Sequence, residues 1–86
     1  MKITIDIPEY IEGDGVEYIW NENGELNIKC ENNSVIILGN ADGLRSLGEQ
    51  CIYLSQIKKG NHIHIDEVLS EIQGGKINGE LIIEKL

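Results

Sequence analysis

Apolar and polar residues alternate along several stretches in the first half of the chain, the pattern of half-buried β-strands. In the first stretch three isoleucines fall on one face, and Pro8 ends the run because it has no N–H for a strand ladder. Asn23-Gly24 and Asn32-Asn33 are typical tight-turn residues between later stretches. The run at Ser34–Leu38 is unbroken and indicates a central strand that is covered on both faces. We therefore predict a four-strand meander over residues 2–7, 16–20, 25–31 and 34–38.

The period of the apolar residues changes after residue 40. Between residues 41 and 58 they recur at steps of three and four, which predicts a long helix with one buried stripe. Asn40 or Asp42 supplies the N-cap oxygen, and Gly60 ends the helix. The residues expected in the buried stripe are Leu44, Leu47, Cys51 and Leu54.

The last third of the chain returns to strands. Residues 62–66 alternate, with Ile63 and Ile65 inward, and Asp66 is placed to cap a short helix that ends at Gly74-Gly75. Asn78-Gly79 turns into a final strand at 80–85. The predicted fold class is α+β, in a single domain over residues 1–86. It has a roughly six-stranded, mostly antiparallel sheet with one long helix, about 41–58, packed on one face.

Charge and hydropathy exclude several classes of function. The 86 residues hold 15 Asp and Glu against 7 Lys and Arg, a net charge of −8. Nucleic acids and anionic membranes need basic residues to meet their phosphates, so neither is an expected partner. No apolar run approaches the roughly 18–20 residues of a membrane span. The start of the chain alternates and carries an acid early, unlike a targeting peptide, so we expect a cytoplasmic protein.

His62 and His64 are the pair that most invites chemistry. On a strand, residues two apart share a face, so two imidazoles can point toward one zinc ion. Asp66 shares that face, yet it lies about 13 Å from His62 unless the strand ends first. The chain has no third histidine. We therefore predict two surface histidines and no metal or cofactor.

The remaining candidates for chemistry have structural interpretations. Cys30 and Cys51 fall at inward positions and are expected to be small buried hydrophobes. The loop at residues 39–43 is rich in glycine but lacks the pattern of a phosphate-binding loop, so we interpret it as a turn and helix cap. No nucleophile and base can be assembled from the pattern, and we predict no catalytic residues.

Residues 39–86 carry a family resemblance. Gly39-Asn40-x-x-Gly43-Leu44, the leucine-bearing helix, His62-x-His64-Ile65-Asp66 and the strand at 80–84 resemble the immunity protein 32 family of bacterial polymorphic toxin systems. The chain departs from the family pattern in the connection at 73–79. The resemblance implies a small α+β protein that neutralises a toxin encoded beside it, and therefore no enzymatic activity.

We expect the partner to be a basic cognate toxin, because opposite charge accelerates association. The contact is predicted on the acidic outer face of the sheet together with an exposed tyrosine. One alternative is a small metal- or ligand-binding domain that uses His62 and His64. Another is a structural subunit that forms a homodimer through its open sheet face. The predicted partner-binding residues are Asp6, Glu17, Ile19, Tyr53, His62, His64 and Asp66.

Overall fold

The computed structural model describes residues 1–86 and contains five strands and two helices, which confirms the α+β class. The elements are β1 (Glu25–Glu31), β2 (Ser34–Gly39), α1 (Ala41–Leu54), β3 (His62–Ile65), α2 (Glu67–Gln73), β4 (Lys76–Asn78) and β5 (Leu81–Glu84). The first sheet consists of a hairpin of β1 and β2, antiparallel to each other, with β4 parallel to β1 on the other side. β3 and β5 form a separate antiparallel pair.

The prediction of one roughly six-stranded sheet is wrong. Residues 1–24, which we call the N-terminal segment, form neither of the two strands expected there. The alternation in this segment agrees with burial in part, since Ile5, Ile7 and Val16 are half-buried although Ile3 is exposed. Between residues 17 and 21 the backbone bonds to side chains of α1 instead of to a neighbouring strand. Periodicity records which residues face inward, but it does not identify the partner that satisfies the backbone.

Four polar side chains of α1 and the turn that follows it hold the N-terminal segment. Gln50 accepts from the N–H of Ile19 at 2.6 Å and donates to the carbonyl of Glu17 at 3.0 Å. The other three contacts are made by Ser46 with the Asn21 N–H, by the Tyr53 hydroxyl with the Glu17 N–H, and by Gln56 with Pro8 and Tyr10. We call these four residues, Ser46, Gln50, Tyr53 and Gln56, the polar row.

The polar row changes which face of α1 is buried. Leu54 is buried as predicted and Leu47 is half-buried, but Leu44 and Cys51 are exposed. The residues of α1 that are buried are Gly43, Ser46, Gln50, Tyr53 and Leu54. The helix also ends at Leu54, with Ser55 as its C-cap, instead of reaching residue 58. The buried face of α1 is therefore rotated around the helix axis relative to the stripe that hydrophobicity alone predicts.

Other positions are less covered than the sequence suggested. Cys30 and Cys51 are both exposed, so the expectation of two buried cysteines is wrong. β2 is an edge strand whose Val35 is 62% exposed, so it is not covered on both faces. Its unbroken apolar run arises at the border of a small sheet, where only Ile36 and Ile37 are half-buried.

The core lies between the two sheets and the helices. Ile63 and Ile65 of β3 are buried, as predicted, and Leu26 and Ile28 of β1 are buried with them. Half-buried Tyr10, Val16 and Trp20 pack against this core from the N-terminal segment. The complete buried cluster is Leu26, Ile28, Leu54, Ile57, Ile63, Ile65, Leu69 and Ile77.

The predicted caps and turns are largely confirmed. Asn40 is the N-cap of α1 and Asp66 is the N-cap of α2. Gly74 ends α2 with a φ of 88°, a left-handed conformation that favours glycine. Asn32 and Asn33 both have positive φ between β1 and β2. These features depend on neighbouring residues, which is why the local sequence predicts them.

Candidate functional site

The outer face of the β3–β5 pair carries histidines and carboxylates. Along β3 the isoleucines point into the core, and His62 and His64 are exposed as predicted. His62 lies opposite Glu84 on β5, with 3.8 Å between His62 Nδ1 and Glu84 Oε1. The two imidazole rings meet edge to face with centroids 5.0 Å apart. Alternation on two paired strands thus brings three polar side chains onto one surface.

Asp66 and Glu80 extend this surface at one end of the strand pair. The last residues in register are Ile65 and Leu81, so Asp66 and Glu80 are the next opposed positions. His64 Nδ1 is 3.9 Å from Glu80 Oε2. One ligand atom from each of His64, Asp66 and Glu80 lies within 4.8 Å of the other two. We call His62, His64, Asp66, Glu80 and Glu84 the histidine–carboxylate face.

Hydrogen bonds hold the side chain of Asp66 and the main chain of His64. Asp66 Oδ1 accepts from the N–H groups of Val68 at 3.0 Å and Leu69 at 3.3 Å, which holds the carboxylate as the cap of α2. The hydroxyl of Tyr18 accepts from the His64 N–H at 3.3 Å. Tyr18 also lines a shallow cavity of about 270 Å³ beside the face, with His64, Asp66 and residues of α2.

Sequence reasoning found only part of the face. It selected His62, His64 and Asp66 but not Glu80, Glu84 or Tyr18. The alternation of Glu80, Ile82 and Glu84 after the Asn78-Gly79 turn is a signal that could have identified the two glutamates as outward residues. Tyr18 had no such signal, because its approach to His64 depends on how the N-terminal segment folds back across the molecule.

The other predicted site residues lie on the N-terminal segment or in α1. Asp6 and Glu17 are exposed, whereas Ile19 is half-buried. The prediction of an exposed Tyr53 is wrong, because this residue is 1% exposed. Its hydroxyl accepts from the Glu17 N–H, and its ring meets that of Tyr10 edge to face. Tyr53 therefore has a structural role within the polar row and is not available as a surface anchor.

The glycine-rich loop before α1 is a turn and helix cap, as predicted. Asn40 Oδ1 accepts from the N–H groups of Gly43 and Glu25, and Asn40 Nδ2 donates to the carbonyl of Asn23. A single amide thus joins α1, β1 and the turn before β1. The Gly43 N–H at the helix start is occupied by this side chain, as expected of an N-cap.

Partial burial raises the pKa of the Cys51 thiol, which reduces its thiolate fraction at neutral pH. The histidine–carboxylate face combines imidazole nitrogens with three carboxylates on an exposed surface. Such a set of groups suits the binding of cations or of positively charged side chains.

The chain is similar to one known family over most of the fold. The immunity protein 32 model matches residues 34–86, from β2 to the end of the chain, and this range includes every residue of the histidine–carboxylate face. No curated protein and no solved structure shows a significant match. Neither helix has the length and apolar character needed to cross a membrane. Because the match covers more than half of the chain, this protein belongs to the immunity protein 32 family.

Proposed function

We propose that this protein binds a cognate bacterial toxin and neutralises it by covering a surface that the toxin needs. Membership of the immunity protein 32 family is the observation that carries this proposal. Inhibition by contact requires a complementary surface and no reaction, so we propose that the protein is not an enzyme. We also propose that the protein is cytoplasmic.

The charge of the chain supports a basic partner. Residues 1–31 hold eight acidic residues and two lysines, so six of the eight net negative charges lie in this part. Asp6 and Glu17 are exposed and free to act at long range. Complementary charge raises the rate of association between proteins more than it raises the final affinity.

The histidine–carboxylate face is the surface that we propose for direct contact. His62, His64, Glu80 and Glu84 are exposed, and Asp66 is half-buried beside them. These groups accept hydrogen bonds from lysine or arginine side chains. Asp6, Glu17 and Ile19 remain proposed contact residues on the N-terminal segment. Tyr53 is not a proposed contact residue, because it is buried.

The experiment is a kinetic measurement of binding to the toxin encoded by the neighbouring gene, at two ionic strengths. Charge reversal by Asp6→Lys with Glu17→Lys should slow association about tenfold at low salt, because it removes attraction between separated charges. Dissociation should change much less. Salt screens exposed charges, so the difference between variant and parent should shrink at high salt.

A matched control carries the same change of charge elsewhere, at exposed Glu31 and Glu71. This control should slow association less than the Asp6 and Glu17 variant does. An equal effect would show that only net charge matters. Absence of binding to the neighbouring gene product, together with failure to protect cells that express it, would contradict the proposed function itself.

One observation favours a second function, a subunit that pairs with its own copy. β2 is an edge strand, and both Val35 and Leu38 are more than half exposed. An edge strand presents unpaired backbone groups that a strand of another molecule can complete. Light scattering on the samples used for binding distinguishes this homodimer from a monomer that meets only the toxin.

A further inference from the structure

Three potential metal ligands converge at the end of the β3–β5 pair. His64 is in β3, Asp66 caps α2, and Glu80 immediately precedes β5. Their ligand atoms lie within 4.8 Å of one another although they come from parts of the sequence up to 16 residues apart. Small side-chain rotations bring such atoms to the roughly 2 Å that zinc requires from nitrogen and oxygen ligands. We infer that His64, Asp66 and Glu80 form a binding site for a divalent transition metal ion such as Zn²⁺.

The charges at this position favour a cation independently of the distances. Asp66 and Glu80 are opposed one step beyond the last registered pair of the ladder. Like charges directly opposite each other on paired strands are destabilising. The ion pairs of the chain include no lysine or arginine with either carboxylate, and the pair that involves Glu80 is with His64. A bound cation would relieve this repulsion.

The surroundings hold one of the ligands in place. Asp66 Oδ1 is engaged by the N–H groups of Val68 and Leu69, which leaves Oδ2 free for a metal. Hydrogen bonds to a ligating side chain orient it toward the metal. The Asp66 carboxylate is therefore partly preorganised, whereas the Tyr18 hydroxyl holds only the main chain of His64.

The ligand types decide which metal the site prefers. Calcium and magnesium favour sets made of oxygen ligands, whereas imidazole suits zinc, copper, iron and nickel. One imidazole with two carboxylates therefore favours a transition metal. Three protein ligands on an exposed face leave a further coordination position for water or for a group from another molecule.

The sequence prediction of no metal rested on the absence of a third histidine and on the length of a continuing strand. In the structure β3 ends at Ile65, and the chain turns so that Asp66 approaches His64. Glu80, the residue just before the facing strand β5, supplies the third ligand. This inference does not depend on toxin binding, because its test requires only the protein and the metal.

The test is calorimetric titration of the full chain with Zn²⁺ at neutral pH. We expect one equivalent to bind, and His64→Asn or Glu80→Gln to weaken binding about tenfold or more. Asp66→Asn should weaken it too while preserving the helix, because asparagine caps as well as aspartate does. A parallel titration with Ca²⁺ should give much weaker binding.

The neighbouring pair, His62 and Glu84, provides a matched control on the same two strands. It has the same residue types at a similar separation, 3.8 Å, but it is not part of the group of three. His62→Asn and Glu84→Gln should leave Zn²⁺ affinity within about twofold of the parent, a small change beside the tenfold effect expected of a ligand. Absence of Zn²⁺ binding, or equal losses in both pairs of variants, would overturn the inference.

Discussion

At the scale of single residues, Asn40 and Gly43 show why the glycine-rich loop has its composition. Asn40 bonds to three backbone groups from two neighbouring elements. Gly43 lies where the first turn of α1 approaches the start of β1. A Cβ at this position would overlap the carbonyl oxygen of Glu25. The loop that looks like an anion site in the sequence is therefore a close contact between a helix and a strand.

A pair of glycine substitutions in α1 tests this contact. Gly43→Ala should destabilise the protein by about 2 kcal/mol or more, because backbone atoms must move to admit the new methyl group. Gly48 has open space around its Cβ position, so Gly48→Ala should stabilise by about 1 kcal/mol through helix propensity. Denaturant unfolding of both variants measures the difference. Equal effects would contradict the close approach of α1 and β1.

At this scale the sequence predicts well. The caps Asn40 and Asp66, the positive-φ turn at 32–33 and the helix end at Gly74 each depend on residues a few positions apart. The outward position of His62 and His64 also follows from local alternation. Their approach to Glu80 could not be predicted in the same way, because it depends on which strand lies beside β3.

At the scale of elements, α1 packs against two different environments, one apolar and one polar. One side packs Leu54 against the apolar core, and the other bonds through the polar row to the N-terminal segment. Gln50 is 1% exposed, and its amide bonds to the Ile19 N–H and the Glu17 carbonyl. In a sheet, a neighbouring strand would bond to these two backbone groups. Buried polar groups are tolerated when they are paired, and here both partners are backbone groups.

This arrangement explains why the sequence misplaced the buried stripe. Hydrophobic periodicity assumes that a helix buries apolar residues against an apolar surface. The N-terminal segment presents backbone N–H and C=O groups to α1, so serine, glutamine and tyrosine are buried there instead. The same interaction accounts for the missing strand at residues 16–20, because the backbone groups of Glu17 and Ile19 have their hydrogen-bond partners on a helix.

A pair of leucine substitutions tests the rotation of α1. Leu54 is buried, so Leu54→Ala should destabilise the protein by about 2–5 kcal/mol through loss of contacts and a cavity. Leu44 is 48% exposed, so Leu44→Ala should have a much smaller effect, about 1 kcal/mol or less. Thermal and denaturant unfolding provide the measurement. A larger loss of stability for Leu44→Ala than for Leu54→Ala would contradict the rotation and support the stripe predicted from the sequence.

At the scale of the whole molecule, the N-terminal segment is part of the folded unit although the family match begins after it. Its Trp20 packs against the core and donates from Nε1 to the carbonyl of Gly74 at 2.7 Å. This contact and the polar row attach the segment to both helical regions. The segment also carries Asp6 and Glu17, so the proposed electrostatic attraction depends on its being held in place.

Removal of residues 1–24 should therefore abolish cooperative folding. The truncation uncovers the core where Tyr10, Val16 and Trp20 pack, and it leaves the buried side chains of Ser46 and Gln50 without their partners. The summed loss is comparable with the roughly 5–15 kcal/mol by which a domain is stable. The control removes only residues 1–4, which are exposed, and should melt like the parent. Circular dichroism melts of the two truncations make the comparison. If the chain without residues 1–24 unfolds cooperatively within a few degrees of the parent, the segment is an appendage and the polar row is not a structural requirement.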